Sequence, residues 1–532
     1  MTRFIHNTVY AFFFVLMGII TYSLSRTFIS TFFNYAWYTY ILAALMIAGI
    51  FGLFILFFKR FDNLCKSVSS SVSRLSVCKL AVILGVVCLV TKVALIFVFN
   101  SDCNVHIDMG KYISFADQIS HNGIVTEHCD YATYHSYTLV YGVFLSPIGY
   151  FFGTNSLAYE VFLAVLMTAL MVLLFDILQK YAGKVTSFVG ILAYNLIPMG
   201  LMQPQVVVHE TPLLFFHVLA LWLLLKIFDN KYKPITKVIF AIICAVSITI
   251  GTCLNVAGKV IMISFAIFSF VRIISAENKT SSIKKVIAKK GAQILAVALT
   301  FVVCLSMCNT ITSACVDRFV ANPPENNFKE KKISMGWGLY VGSNYETFGT
   351  ISGKDKEVYN KYKEMDDVKD AKEYQLDLIK ERYSYLLSSP KRIITLIYKK
   401  LAVLWSPYFA FRGNPESPGY QAFASMAGGI GRLAMLGITY LAYVIFYLMT
   451  LIGVYNKKER AKKEKSPILH FMMVPVGLTL ALILFEALAK YSSHAHILIF
   501  AVGILNFSSF RANMSAIREK LLPKSKKLAN NS

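Results

Sequence analysis

The side chains best suited to chemistry fall in two groups. Residues 100–155 carry five carboxylates, Asp102, Asp108, Asp117, Glu127 and Asp130. A carboxylate within reach of a hydroxyl proton is a general base. Residues 109–121 place Tyr112, Phe115, Ala116 and Ile119 on one side of a helix, so a short amphipathic helix is expected there, with Asp108 at its N-cap. At a cap the carboxylate meets free backbone N–H groups that favour its charge. That is equally what a plain structural cap requires. The second group lies at the ends of apolar runs. His209-Glu210-Thr-Pro212 opens one run, and Glu486, Lys490 and Tyr491 bracket the connection between two others. A Glu shortly before Pro is also ordinary helix-start chemistry. His494 and His496 are two apart and do not share a helix face, so no metal site is expected from them. No Cys pair has zinc-ligand spacing.

The chain that positions these groups has 532 residues, 56% hydrophobic and only 15% charged. A soluble domain carries about 25% charged residues, which excludes an ordinary soluble enzyme. Forty-one Phe and 30 Tyr exclude a disordered chain. A helix needs about 20 mostly apolar residues to cross a bilayer. Twelve runs qualify, near 8–25, 38–58, 80–99, 156–179, 185–201, 211–228, 236–253, 256–275, 291–312, 432–454, 467–487 and 491–508. The first is too long for a signal-peptide core and reads as an uncleaved span. The expected fold is therefore an all-α polytopic membrane protein of about twelve transmembrane helices.

A further apolar stretch, Ser136–Gly153, is interrupted by Pro147 and glycines. Charge decides its place. If it does not cross and the N-terminus is cytoplasmic, the inside segments are the N-terminal arm, 59–79, 180–184, 226–237, 272–290, 457–465 and 511–532. These hold the whole net charge of +24, and the rest of the chain is neutral. Counting the stretch as a span would put the later basic clusters outside, against the positive-inside rule. The +24 is thus an orientation signal and not a nucleic-acid surface. Both termini are expected in the cytoplasm of a plasma membrane. Absence of an Asn-x-Ser/Thr sequon from the outside segments fits a bacterial protein. Four regions follow: 1–79 with two spans and a basic loop, 80–312 with the outer loop 100–155, an extracytoplasmic region 313–431, and 432–532 with the last spans and a basic tail.

The series Asp108-x-x-Lys111-Tyr112-x-x-x-Ala116-x-x-Ile119 resembles the first-loop motif of GT-C glycosyltransferases, the polytopic enzymes that use polyprenyl-phosphate sugars. The pattern is nearest to protein O-mannosyltransferases and lipid A aminoarabinose transferases. The resemblance implies an acid that acts as general base or orients the acceptor, here Asp108, or Asp102 in the Ser101-Asp102 pair. It implies a second juxtamembrane helix, with Tyr134-His135-Ser136-Tyr137 through Phe152-Gly153 in that place. It also implies a cavity lined by His209 and Glu210, and by Glu486, Lys490 and Tyr491. Met109 stands where relatives carry a second acid, and the Pro-Pro turn after His135 is missing. Some relatives bind a divalent ion; Met109 argues weakly against one here.

On this reading the partners are a polyprenyl-phosphate-linked sugar and an envelope glycan, lipid or protein acceptor. Lys111, Lys259, Arg432 and Lys490 lie near the outer boundary and suit a lipid phosphate, or lipid headgroups. Region 313–431 carries Gly336-Trp-Gly and Gly342–Gly349, which read as turns, and Asn344, Tyr345 and Glu346, which suit sugar or acceptor contact or a plain loop. Residues 354–387 read as helical and solvated, and 391–410 as a helix on the membrane surface. Lys92 lies inside the third run and needs a partner, with Glu160 and Asp176 as candidates. Cys103 and Cys129 are a possible disulfide pair if the outside is oxidising. A transporter or lipid-linked glycan flippase is the alternative reading.

Overall fold

The computed structural model describes residues 2–33, 38–99, 107–275, 283–321, 333–365, 367–406, 430–454, 466–493 and 495–521. Among these residues the chain is helical throughout, apart from turns and one parallel bridge between Val125 and Val320. The helices are α1 (Thr2–Phe33), α2 (Thr39–Val72), α3 (Val77–Phe99), α4 (Ile107–Asn122), α5 (Cys129–Tyr134), α6 (Ser136–Phe152) and α7 (Ser156–Ala182). They continue with α8 (Lys184–Leu196), α9 (Pro198–Met202), α10 (Glu210–Ile227), α11 (Pro234–Leu254), α12 (Gly258–Ser275) and α13 (Ile283–Phe319). Later helices are given by their residues.

Among the described residues nine helices are long and apolar enough to cross a bilayer, or ten if the pair Tyr491–Leu505 and Phe507–Leu521, bent by 58°, is one span. Twelve runs were expected, and the difference has local causes. The run at 185–201 stops at Leu196, because Ile197 precedes Pro198 and is extended (φ −71°, ψ 137°). The run at 467–487 yields a helix of only 17 residues, Ile468–Leu484. The run at 491–508 falls in a pair of helices, Tyr491–Leu505 and Phe507–Leu521, bent by 58°. These segments remain helical; what they lose is continuous length. The chain is a multi-pass helical membrane protein.

The outward faces explain that assignment physically. Only 11% of the apolar window of α2, and of α13, is buried in the protein. Leu45, Leu53 and Leu56 on α2 and Leu295, Leu299 and Val302 on α13 are more than half exposed. In water such continuous apolar faces would drive aggregation; in lipid they carry no cost. The main core lies inside, where α1, α3, α7, α10 and α12 meet the helices Ile430–Val454, Ile468–Leu484 and His496–Leu505 around Phe13, Leu170, Phe265, Tyr443 and Phe500.

A second core holds the first loop in place. Met109, Tyr112, Ile113 and Ala116 of α4 pack on Tyr141 and Leu145 of α6, with Val206–Val208 and Leu254 behind them. Helices α4 and α6 approach closely because α6 has glycine at the contacts. A Cβ on Gly142 would lie 2.6 Å from the Phe115 Cβ, and one on Gly149 would lie 2.8 Å from the Ala116 carbonyl. The turn after α4 is fixed by Gln118, whose Oε1 accepts from the N–H groups of Thr126 (2.8 Å) and Glu127 (3.1 Å). Val125 then bonds the end of α13, donating to the Phe319 carbonyl at 2.6 Å.

Candidate active site

Asp108 lies in the first turn of α4, one position inside the helix, and not at the N-cap. It still faces the positive end of the helix dipole. The Tyr131 hydroxyl of α5 donates to its Oδ1 at 3.2 Å. Lys111, one turn along α4, places its ammonium 3.9 Å from the centre of the Tyr131 ring. Burial lowers the Lys111 amine from its ordinary value, and the Asp108 charge opposes that shift.

His209 and Glu210 form a buried pair at the start of α10, with His209 Nδ1 2.7 Å from Glu210 Oε2. Asn255, between α11 and α12, donates its side-chain N–H to Glu210 Oε1 at 3.4 Å. Three tyrosines enclose the imidazole: Tyr137 at 5.3 Å, Tyr112 at 5.7 Å and Tyr141 at 5.9 Å between ring centres. Glu486 comes from the segment that follows the helix Ile468–Leu484, and accepts from the Tyr491 hydroxyl at 3.0 Å. Tyr137 relates all three acids. Burial raises its phenol above the ordinary range, and Glu210, Glu486 and Asp108 raise it further. These carboxylates, far apart in sequence, therefore act on one side chain. His135 joins the same aromatic wall, 4.8 Å from the Tyr131 ring and 6.0 Å from Tyr137.

Lys400, expected on a helix at the membrane surface, is buried instead. Its ammonium is buried and donates to the carbonyls of Gly342 (2.8 Å), Ile483 (2.7 Å) and Phe485 (2.6 Å). Burial pushes its amine down to about 7, against the charge of Glu486. Gly349, at φ +77°, admits the lysine, since a Cβ there would lie 2.8 Å from Lys400 Cε. Lys400 thus ties the helix Pro390–Leu404 and Gly342 to the segment that bears Glu486. The sequence held a signal for it: Leu396, Lys400 and Leu404 are four apart, which puts the lysine on the apolar face of its helix.

Other expected residues fall elsewhere. Tyr134 faces the helix Gly353–Glu364, its ring 6.3 Å from Tyr359. Asn344 is buried and braces a turn. It donates to Asp355 Oδ2 at 3.0 Å and accepts from the Glu346 and Thr347 N–H groups at 3.1 and 3.3 Å. Gly336 and Gly338 lie within the helix Ile333–Gly342, not in a turn. Lys259 is exposed on the first turn of α12. The partner of Lys92 is Asn195, not Glu160 or Asp176, and Asp176 instead accepts from Trp222 Nε1 at 2.6 Å. Asp102 and the side chains of Arg432 and Lys490 lie outside the described residues, as does Cys103. Cys129 is a free thiol. Among the described residues no group of three His, Cys, Asp or Glu side chains is placed to hold a metal ion.

The fold and this cluster define a polytopic helical membrane protein in which one buried carboxylate, Glu210, and two half-buried ones, Asp108 and Glu486, lie among tyrosines. No family model matches the chain, and neither a curated protein nor a solved structure does.

Proposed function

We propose that the protein is a membrane glycosyltransferase of GT-C type. It moves a sugar from a polyprenyl-phosphate donor to a cell-envelope acceptor on the outer face of the membrane. The observation that carries the reading is a polar cluster drawn from separated parts of the chain: the buried His209–Glu210 pair with the Tyr137 ring 5.3 Å from the imidazole, Asp108 accepting from Tyr131, and Glu486 accepting from Tyr491. Such a cluster suits an acceptor hydroxyl whose proton must be removed. Asp108, or Asp102, takes that proton as the oxygen attacks the anomeric carbon. The new glycosidic bond forms as the bond to phosphate breaks, with inversion at carbon. The lipid phosphate leaves already charged, so it needs no strong acid. Tyr131 and Lys111 keep Asp108 in place; Glu210, steadied by Asn255, orients His209.

The test is transfer from labelled polyprenyl-phosphate sugars by the purified full chain in lipid nanodiscs. Asp108→Asn is expected to lower turnover at least a hundredfold, the scale of general-base catalysis. Full activity in both Asp108→Asn and Asp102→Asn overturns the assignment. A second reading, transport or flipping of a lipid-linked glycan, has its own support. Ionisable side chains are buried within apolar helices: Lys92 with Asn195, and His217 and His470, both with rings against Phe265. Such residues mark pathways in transporters. Substrate uptake into sealed vesicles, without bond transfer, favours that reading.

A further inference from the structure

We infer that Arg518 and Lys59 form a binding site for the phosphate of an anionic phospholipid, in the leaflet at the end of the bundle away from Asp108. The site shares no residue with the candidate active site and does not depend on the transferase reading. Two basic segments that are far apart in sequence meet here, because the helix Phe507–Leu521 packs along the second half of α2. Phe510 and Met514 of that helix are buried against Ile55 and Phe58 of α2. Arg511 donates from Nε to Asp62 at 2.8 Å, and Asn513 donates to the Ile452 carbonyl at 2.7 Å. The contact lies at the end of α2 that turns into α3, and the far end of α3 precedes α4, so Asp108 is at the opposite end.

The two helices carry six cations, Lys59, Arg60, Lys66, Arg511, Arg518 and Lys520, against two carboxylates, Asp62 and Glu519. Asp62 is taken by Arg511 and by Lys66 at 2.8 Å, and Glu519 accepts from Ser515 at 3.2 Å. Among the described residues neither Lys59 nor Arg518 pairs with a carboxylate. Arg518 is half-buried and donates from Nε to the Ile55 carbonyl at 3.2 Å. That bond fixes the guanidinium and leaves its two terminal nitrogens for a bidentate oxyanion. Lys59 is exposed and stands one helical turn beyond Ile55, on the same side of α2, so its ammonium borders the same spot. Depth argues for a lipid over a free phosphate. Lys59 is the first charged residue after the apolar part of α2, the level at which headgroup phosphates meet the hydrocarbon. Toward the membrane centre Leu56 and Leu53 are 61% and 55% exposed. Acyl chains cover such a face, and inorganic phosphate does not. The surplus of cations favours an anionic headgroup over a zwitterionic one.

The purified full chain in detergent is titrated with phosphatidylglycerol and, separately, with phosphatidylcholine, and bound lipid is counted by native mass spectrometry. Phosphatidylglycerol is expected to bind more tightly. Arg518→Gln and Lys59→Gln are each expected to weaken it about fivefold, the scale of one basic group at an anionic lipid surface. Lys231→Gln combined with Lys233→Gln is the control. It removes two exposed cations from the connection between α10 and α11, at the same end of the bundle, and is expected to leave phosphatidylglycerol affinity unchanged. Should Arg518→Gln fail to fold, since it also loses the bond to Ile55, the exposed Lys59→Gln carries the test. Four results overturn the assignment: equal binding of the two lipids, full phosphatidylglycerol affinity in the folded site variants, an equal loss in the control, or displacement of the lipid by inorganic phosphate at the same concentration. An equal loss in the control would mean a diffuse attraction of the whole basic face, and displacement by phosphate would mean an anion site with no lipid specificity.

Discussion

The Tyr131 hydroxyl donates a hydrogen bond to Asp108 at 3.2 Å, while the Lys111 ammonium sits 3.9 Å above the centre of the same ring. One tyrosine thus holds the carboxylate through its oxygen and the ammonium through its face. A hydrogen bond to a charged group contributes about 1.5–3 kcal/mol, or roughly 10–100-fold in rate if it acts in the transition state. Tyr131→Phe keeps the ring and removes only the oxygen. In the transfer assay kcat is expected to fall by that factor, with little change in KM for the lipid donor. An unchanged kcat would separate Tyr131 from the chemistry.

Lys400 predicts a pH dependence whose sign follows from its burial. Its folded value, about 7, lies below the ordinary lysine value. Between those two values the unfolded chain binds more protons, so stability rises with pH. The proton-linked contribution is fully present above the ordinary lysine value and is lost as pH falls through about 7. Lys400→Met lacks this titration and leaves the carbonyls of Gly342, Ile483 and Phe485 without that donor. The variant is expected to melt below the wild type, by a margin that widens from pH 6 to pH 9. Thermal unfolding in detergent at those two pH values measures it.

Composition and charge made the helical membrane fold readable, because lipid imposes length and apolarity on every span. What they did not contain is continuity. The run at 185–201 reads as apolar throughout, yet one X-Pro pair divides it. Helix Ile468–Leu484 is similarly apolar but too short. At the site, His209 and Glu210 were legible as neighbours at a helix start. Asn255 was not, since its partner is 45 residues away and only packing brings them together. For Asn344 the sequence left ligand contact and a plain loop both open, because a polar residue in a Gly-rich segment suits either; its hydrogen bonds fold its own turn.

An ion pair braces residues 333–387. Arg382 bonds the buried carboxylate of Asp355 at 2.5 Å, the Tyr340 carbonyl at 2.8 Å and the Tyr340 hydroxyl at 2.9 Å. Burial would raise the Asp355 carboxyl, but Ser352 and Arg382 outweigh it and hold it below the ordinary value. Removing one partner of a buried pair costs about 3–5 kcal/mol; Arg382 keeps some exposure, so the lower end applies. Arg382→Met is expected to open residues 333–387 to limited proteolysis at pH 7 while the spans stay protected. In the wild type the Asp355 contribution is present above the ordinary carboxylate value and fades as pH falls through its lowered one. The protease sensitivity of the wild type should therefore approach that of the variant in acid. Equal cleavage of both chains at pH 7 would remove the pair from this role.

The distance between α4 and α6 sets where Asp108 stands relative to Tyr137, and glycine sets that distance. Adding a methyl at Gly142 brings it 2.6 Å from Phe115 Cβ, which no side-chain rotation relieves because both atoms are fixed by backbone. The helices must separate, at the ~1–3 kcal/mol typical of an overfilled core. Gly85→Ala on α3 is the matching control, since its methyl would meet Val172 at an ordinary 3.6 Å and helix propensity favours alanine. Gly142→Ala is expected to lower the unfolding midpoint by several degrees and transfer activity at least tenfold, while Gly85→Ala lowers neither. If Gly142→Ala lost stability but kept full activity, the spacing of α4 and α6 would matter to the fold and not to the reacting groups. Asp108 would then have to meet its substrate on a side of α4 away from Tyr137.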